Sequence, residues 1–213
     1  MKMKTIASLL LILLVFSSHQ TNAQVLRTYG AKFGITSSDE VRDYSTFTPT
    51  TKRRTGFNFG VYAEWFDLPI ISIVTQLEYS QRGFGDNFLY TDETGPQSGK
   101  ILTLYDRLDY LSVPLLAKFS TTFAPIKPYA LLGPRLDILI GRKADIPGED
   151  ILYDNFKKPV LGGTVGIGAE LNSGLPVTLS LEARYNFDLM DSYSNPNLSV
   201  QNNTFDLWIG ASI

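Results

Sequence analysis

The residues of this chain best suited to chemistry are carboxylates and the cations that could pair with them. Glu170 and Glu182 occur in two successive segments of alternating sequence, which would put them on neighbouring strands as the two carboxylates of an acid–base mechanism. Ion pairing with Lys or Arg is the commoner use of such groups. The rest of the catalytic repertoire is thin. The chain has one histidine, His19, and no cysteine. Ser-His-Asp and Cys-His catalysis, the usual zinc sites and haem ligation by histidine therefore lack their central group once residues 1–23 are removed as a signal peptide. Gly162-Gly163-Thr164-Val165-Gly166-Ile167-Gly168 matches neither nucleotide-binding motif, and no helical pattern follows it. The acidic pairs Asp39-Glu40, Asp92-Glu93 and Glu149-Asp150 fall outside the strand patterns without the spacing of a calcium loop. Neither an enzyme activity, a cofactor nor a metal is expected.

The elements that carry these groups show period two rather than helical spacing. In Val177–Phe187 every odd position is apolar and every even one polar, so one face of that strand is greasy and the other wet. Phe57, Phe59, Val61, Ala63 and Trp65 alternate in the same way, as do Phe205, Leu207, Ile209, Ala211 and Ile213. Applied along the chain, the pattern predicts strands near 26–36, 55–66, 71–82, 104–120, 127–141, 158–171, 176–188 and 204–213. Connections two, four and six are short and the others long, so short turns collect at one end and long loops at the other. This predicts an all-β, eight-stranded, antiparallel, up-and-down transmembrane barrel with short periplasmic turns and long extracellular loops. Trp65, Phe66, Phe119, Phe123 and Tyr129 near the short-turn end, and Tyr79, Phe84, Tyr185 and Phe187 toward the other, read as two interfacial girdles.

A soluble lipocalin-like barrel would invert this arrangement, apolar inside and wet outside. The polar face argues for lipid outside, because it mixes Gly, Ser, Thr and Asn with few charges instead of the scattered charges bulk water would favour. Gly30, Gly34, Gly60, Gly162, Gly166, Gly168 and Gly210 lie on it, leaving room for long side chains in a narrow interior. Alternation puts Lys32, Arg82, Lys118, Arg135 and Arg184 inside with Glu64, Glu78, Asp137, Glu170, Glu182 and Asp206. Eight strands enclose space that side chains fill, and charges there must be paired, so a structural charge network in a plugged lumen is expected. The fifth strand is apolar on both faces at Ala130–Pro134, which leaves the facing of Arg135 and Asp137 open.

Lys2 and Lys4, the apolar run Ile6–Phe16 and the polar segment ending at Ala23 form a secretory signal too short to span a bilayer. Residues 1–23 are read as signal peptide, with cleavage before Gln24, and residues 24–213 as one barrel domain. Without cysteine, neither a lipid-modified cysteine nor a disulfide is available. The chain carries 19 Lys+Arg against 21 Asp+Glu, and loss of Lys2 and Lys4 makes it more acidic, so nucleic acid is not an expected partner. The basic run Lys52-Arg53-Arg54 reads as a solvated loop that could touch anionic headgroups.

Tyr110–Phe119, Pro128–Pro134 and the glycine-rich strand ending Gly166-Ile167-Gly168-Ala169-Glu170 resemble the outer-membrane β-barrel family common in Bacteroidetes, often labelled porin-like or PorT-like, and more distantly the OmpX/OmpA type of small barrel. The resemblance implies a scaffold in the bacterial outer membrane and no catalytic residues. Ile213 stands where proteobacterial barrels often end in Phe. The expected partners are outer-membrane lipid and, through loops such as Phe84–Lys100 and Gly141–Lys157, other envelope proteins or extracellular ligands. A narrow pore for small solutes is the alternative from a different class. A part in protein secretion follows from the PorT-like resemblance alone.

Overall fold

Two-residue alternation becomes backbone geometry in a computed structural model that describes residues 25–44, 51–66, 68, 70–92, 95–121, 123–146, 156–171 and 176–213. The signal segment 1–23 lies outside these residues. Eleven strands form in chain order: β1 (Leu26–Tyr44), β2 (Lys52–Trp65), β3 (Ile71–Arg82), β4 (Phe84–Asp92), β5 (Gly95–Tyr105), β6 (Arg107–Ser120), β7 (Ile126–Lys143), β8 (Val160–Leu171), β9 (Thr178–Asp188), β10 (Tyr193–Asn195) and β11 (Leu198–Ser212). Eight are barrel staves, hydrogen-bonded in the order β1-β11-β9-β8-β7-β6-β3-β2, and β2 pairs back onto β1 to close the ring. Every pairing is antiparallel. Tyr29 and Ile213 exchange backbone hydrogen bonds of 3.2 and 3.0 Å, so the last residue helps to seal the seam.

The eight predicted strands correspond to the eight staves, but several bounds change. The first strand, expected over 26–36, runs on to Tyr44, and the last begins at Leu198 instead of 204. Their continuations stay in register from Ser38 opposite Thr204 to Tyr44 opposite Leu198. Alternation fades there because the outward face has left the lipid and no longer has to be apolar, while the hydrogen-bond ladder persists. Asp39-Glu40 therefore lies on a strand, with Glu40 buried and paired to Arg42. The third connection is a hairpin, β4–β5, that also joins β2 through Lys52 opposite Gly85. The expected 104–120 strand is broken at Asp106, so Leu104 and Tyr105 belong to the hairpin. Glu149-Asp150 lies outside the described residues.

The greasy face points outward. Phe33, Phe59, Val61, Ile167, Leu181 and Ile209 are each more than half exposed, as residues in contact with acyl chains must be in an isolated barrel. Two aromatics assigned to the girdles are inside instead: Tyr129 is 6 % exposed and Phe84 1 %. Tyr129 shares the inward parity of Leu131 and Arg135, and Phe84, at the base of the hairpin, packs against Leu108, Tyr110 and Leu139. Nearness to a strand end could not reveal either orientation.

Candidate functional site

The inward residues assemble in tiers from the periplasmic to the extracellular end. At the periplasmic mouth Glu64 is the hub, accepting from Arg27 Nη1 at 2.7 Å, Lys118 Nζ at 2.7 Å and Ser72 Oγ at 2.7 Å. Lys118 also reaches Glu170, whose second oxygen lies 4.0 Å from Lys127 Nζ. A polar cavity of about 230 Å3 opens here among Arg27, Thr28, Glu64, Glu170, Thr178 and Ser212.

Above it, Glu182 takes Lys32 Nζ at 2.9 Å, the Tyr129 hydroxyl at 2.8 Å and the guanidinium of Arg184. Arg184 spans on to Glu78 at 2.7 Å and lies over the Trp208 ring. Tyr62, Val74, Leu116, Tyr129 and Leu131 form an apolar cluster among these charges, and the Lys32 and Lys118 ammonium groups each lie 4.6 Å from a tyrosine ring centroid. A pocket of about 10 Å3, one water's worth, lies at this level.

The next tier is built on Asp137, held by Arg82 Nη1 and Nη2 at 2.7 and 3.0 Å and by Arg135 Nε at 2.8 Å. Arg135 also reaches Asp188 at 3.4 Å. The open question of the fifth strand is thereby answered, since Arg135 and Asp137 are each 1 % exposed and face inward. Asp206 accepts from Asn186 Nδ2 at 2.7 Å.

Of the eleven residues that alternation put inside, ten are buried and Glu170 is partly exposed at the mouth. Glu170 and Glu182 are on neighbouring strands, but each is taken up by cations, a poor arrangement for a proton-transferring pair. The inward glycines accommodate this crowd: a Cβ on Gly166 would stand 3.0 Å from Arg184 Cγ, and one on Gly168 would run into the Tyr129 ring. Sequence reasoning missed Tyr129, Asn186 and Asp188 as members of the network. The even positions of β9 already pointed to Asn186 and Asp188.

The extracellular end carries an apolar lid. Phe84, Leu108, Tyr110, Leu139, Ile146, Phe156 and Val200 pack into a cluster drawn from the hairpin base, three staves and the connection after β7. Arg42 stacks its guanidinium 4.2 Å from the Phe84 ring centroid. Asp106, wholly buried, accepts the backbone N–H groups of Asp145 and Ile146 at 2.7 and 2.9 Å, and Ser192 links the last connection to Asp188 at 3.1 Å.

A closed antiparallel ring, apolar outside with paired charges inside, is an integral β-barrel of the kind that crosses a membrane without helices. No helix among the described residues is long and apolar enough to span a bilayer. The chain belongs to the family described as outer membrane protein beta-barrel domain, which matches residues 20–194, and its place is the bacterial outer membrane. The match stops short of β11, the strand that closes the ring. No curated protein matches the chain. Similar solved structures include Ail, the attachment invasion locus protein of Yersinia pestis, in complex with the heparin analogue sucrose octasulfate, 13 % identical with a TM-score of 0.43 over 87 % of this chain and 98 % of that one. OprG from Pseudomonas aeruginosa is 7 % identical, TM-score 0.47, over 89 % and 97 %. The outer membrane enzyme PagL is 12 % identical, TM-score 0.41, over 81 % and 97 %.

Proposed function

We propose that this protein is a non-enzymatic outer-membrane anchor whose extracellular elements bind other envelope components or external ligands. The observation that carries the reading is the stacking of an apolar lid on a paired-charge lumen: both fill the space a solute would need, and the lid ties the hairpin base to three staves. The eleven lumen residues act as structural glue in this reading, with residues 1–23 removed on export. The β4–β5 hairpin is the working element. It stands on the rim, and Ile101, Leu102 and Tyr105 are 65, 46 and 42 % exposed, apolar area that solvent alone does not explain. The PorT-like resemblance agrees with docking to another envelope protein and names none.

Replacing residues 86–104 by a two-residue turn tests the reading. The variant is expected to reach the outer membrane and keep its folded gel mobility, while chemical crosslinks from intact cells to neighbouring surface components disappear. Unchanged crosslinks would remove the hairpin from the function.

A further inference from the structure

We propose that the periplasmic mouth of the lumen binds the carboxylate of a small ligand between Arg27 and Lys127. These two cations stand on β1 and β7, which are four places apart in the closed ring of eight staves and therefore face each other across the barrel. Lys127 has the inward parity of Tyr129 and Leu131. Arg27 does not follow the parity of its strand, since the inward residues of β1 are the even ones, among them Lys32, Thr36 and Ser38. A register shift between Leu26 and Thr28 makes Arg27 the extra residue of a β-bulge, and its guanidinium turns into the mouth, 2.7 Å from Glu64. Bulges beside functional sites re-aim a side chain in this way. Arg27 and Lys127 thus lie within electrostatic reach of each other, like charges brought together from opposite walls.

The charges around them are unevenly spent. Glu64 takes Arg27, Lys118 and Ser72, and Lys118 also holds Glu170. Lys127 Nζ is left with Glu170 Oε2 at 4.0 Å, beyond hydrogen-bonding distance, and has no hydrogen bond among the described residues. Three cationic side chains therefore meet two carboxylates, and a single monoanion restores the balance. The Ile213 oxygen is committed to the seam, where it accepts from Thr28 Oγ1 at 2.8 Å and from Tyr29 N at 3.2 Å. Room for an anion is present in the polar cavity of about 230 Å3, and the Arg27 and Lys127 side chains keep 26 and 17 % exposure there. Arg27, Glu64, Lys127, Glu170, Thr178 and Ser212 all lie within one residue of a strand end, so the cavity opens to water below the membrane rather than to lipid. A carboxylate suits this setting, since ammonium and guanidinium groups make charge-assisted hydrogen bonds to it, while a phosphate dianion would overshoot the balance. The volume admits a small organic acid or the end of a short peptide.

Amide NMR shifts of Thr178 and Ser212 in the isotope-labelled protein in nanodiscs, titrated with N-acetyl-alanyl-alanine, test this. The peptide acid is expected to bind at least about tenfold more tightly than its C-terminal amide, the ratio that one charge-assisted contact supplies. Acetate separates the two sources of a carboxylate: affinity equal to that of the peptide acid assigns the mouth to free organic acids, and weaker binding assigns it to peptide ends. Lys127→Gln should lose the preference for acid over amide and Lys127→Arg should keep it, as should Lys157→Ala at the other end of the barrel. The comparison of acid and amide uses the unaltered protein, so it stands even if a variant fails to fold. Equal binding of acid and amide by wild type, no binding of the acid, or full preference in Lys127→Gln overturns the assignment.

Discussion

Arg184 ties the interior together across the barrel, because it joins Glu182 on its own strand to Glu78 across the lumen beneath the Trp208 ring. Its removal strands Glu78, which is buried, while Glu182 keeps Lys32 and the Tyr129 hydroxyl. Arg184→Ala is expected to destabilise the barrel by roughly 3–5 kcal/mol, the usual cost of breaking a buried pair from one side. Urea unfolding in lipid vesicles, followed by tryptophan fluorescence, measures it. A Glu78→Gln/Arg184→Ala double variant should cost less than the sum of the two singles, since Arg184→Ala leaves the Glu78 charge unpaired and the double variant does not.

At the scale of the element, a stave is stable only if each face suits its solvent, and β9 shows both faces clearly. Leu179, Leu181 and Tyr185 are exposed to lipid, while Ser180, Glu182, Arg184 and Asn186 are buried in the lumen. Leu181→Arg should cost about 2–4 kcal/mol, the penalty for a cation on the outer face of a membrane barrel, and Leu181→Ala far less. Folding yield into vesicles and urea midpoints of the two variants give the comparison. If Leu181→Arg folded as well as Leu181→Ala, the lipid face would have been assigned to the wrong side.

For the whole molecule, ring closure and the double seal dominate. Every stave has two hydrogen-bonded neighbours, so no edge is left in the hydrocarbon, and the outer mouth is roofed by a cluster that the hairpin, β6, β7 and β11 build together. Purified protein in planar bilayers is therefore expected to conduct at background level. A reproducible, ion-selective conductance would favour the narrow pore and contradict a lumen blocked by the Arg82–Asp137–Arg135 and Lys32–Glu182–Arg184 groups.

The eight staves and their facing were legible from the sequence because period-two alternation is forced wherever one face meets lipid and the other a crowded polar interior. Glu182 and Arg184 could thus be placed inside from β9 alone. Alternation fails where that contrast ends. The extensions of β1 and β11 carry polar residues on both faces, and the fifth strand around Ala130–Pro134 is apolar on both, so only the register of paired strands decided them. The partners within the lumen, such as Arg184 with Glu78 and Lys118 with Glu64 and Glu170, were likewise decided by tertiary structure. The same holds for the lid over the mouth. Side chains that meet across a barrel come from strands far apart in the chain, and no local pattern records which layer of the lumen each strand brings them to.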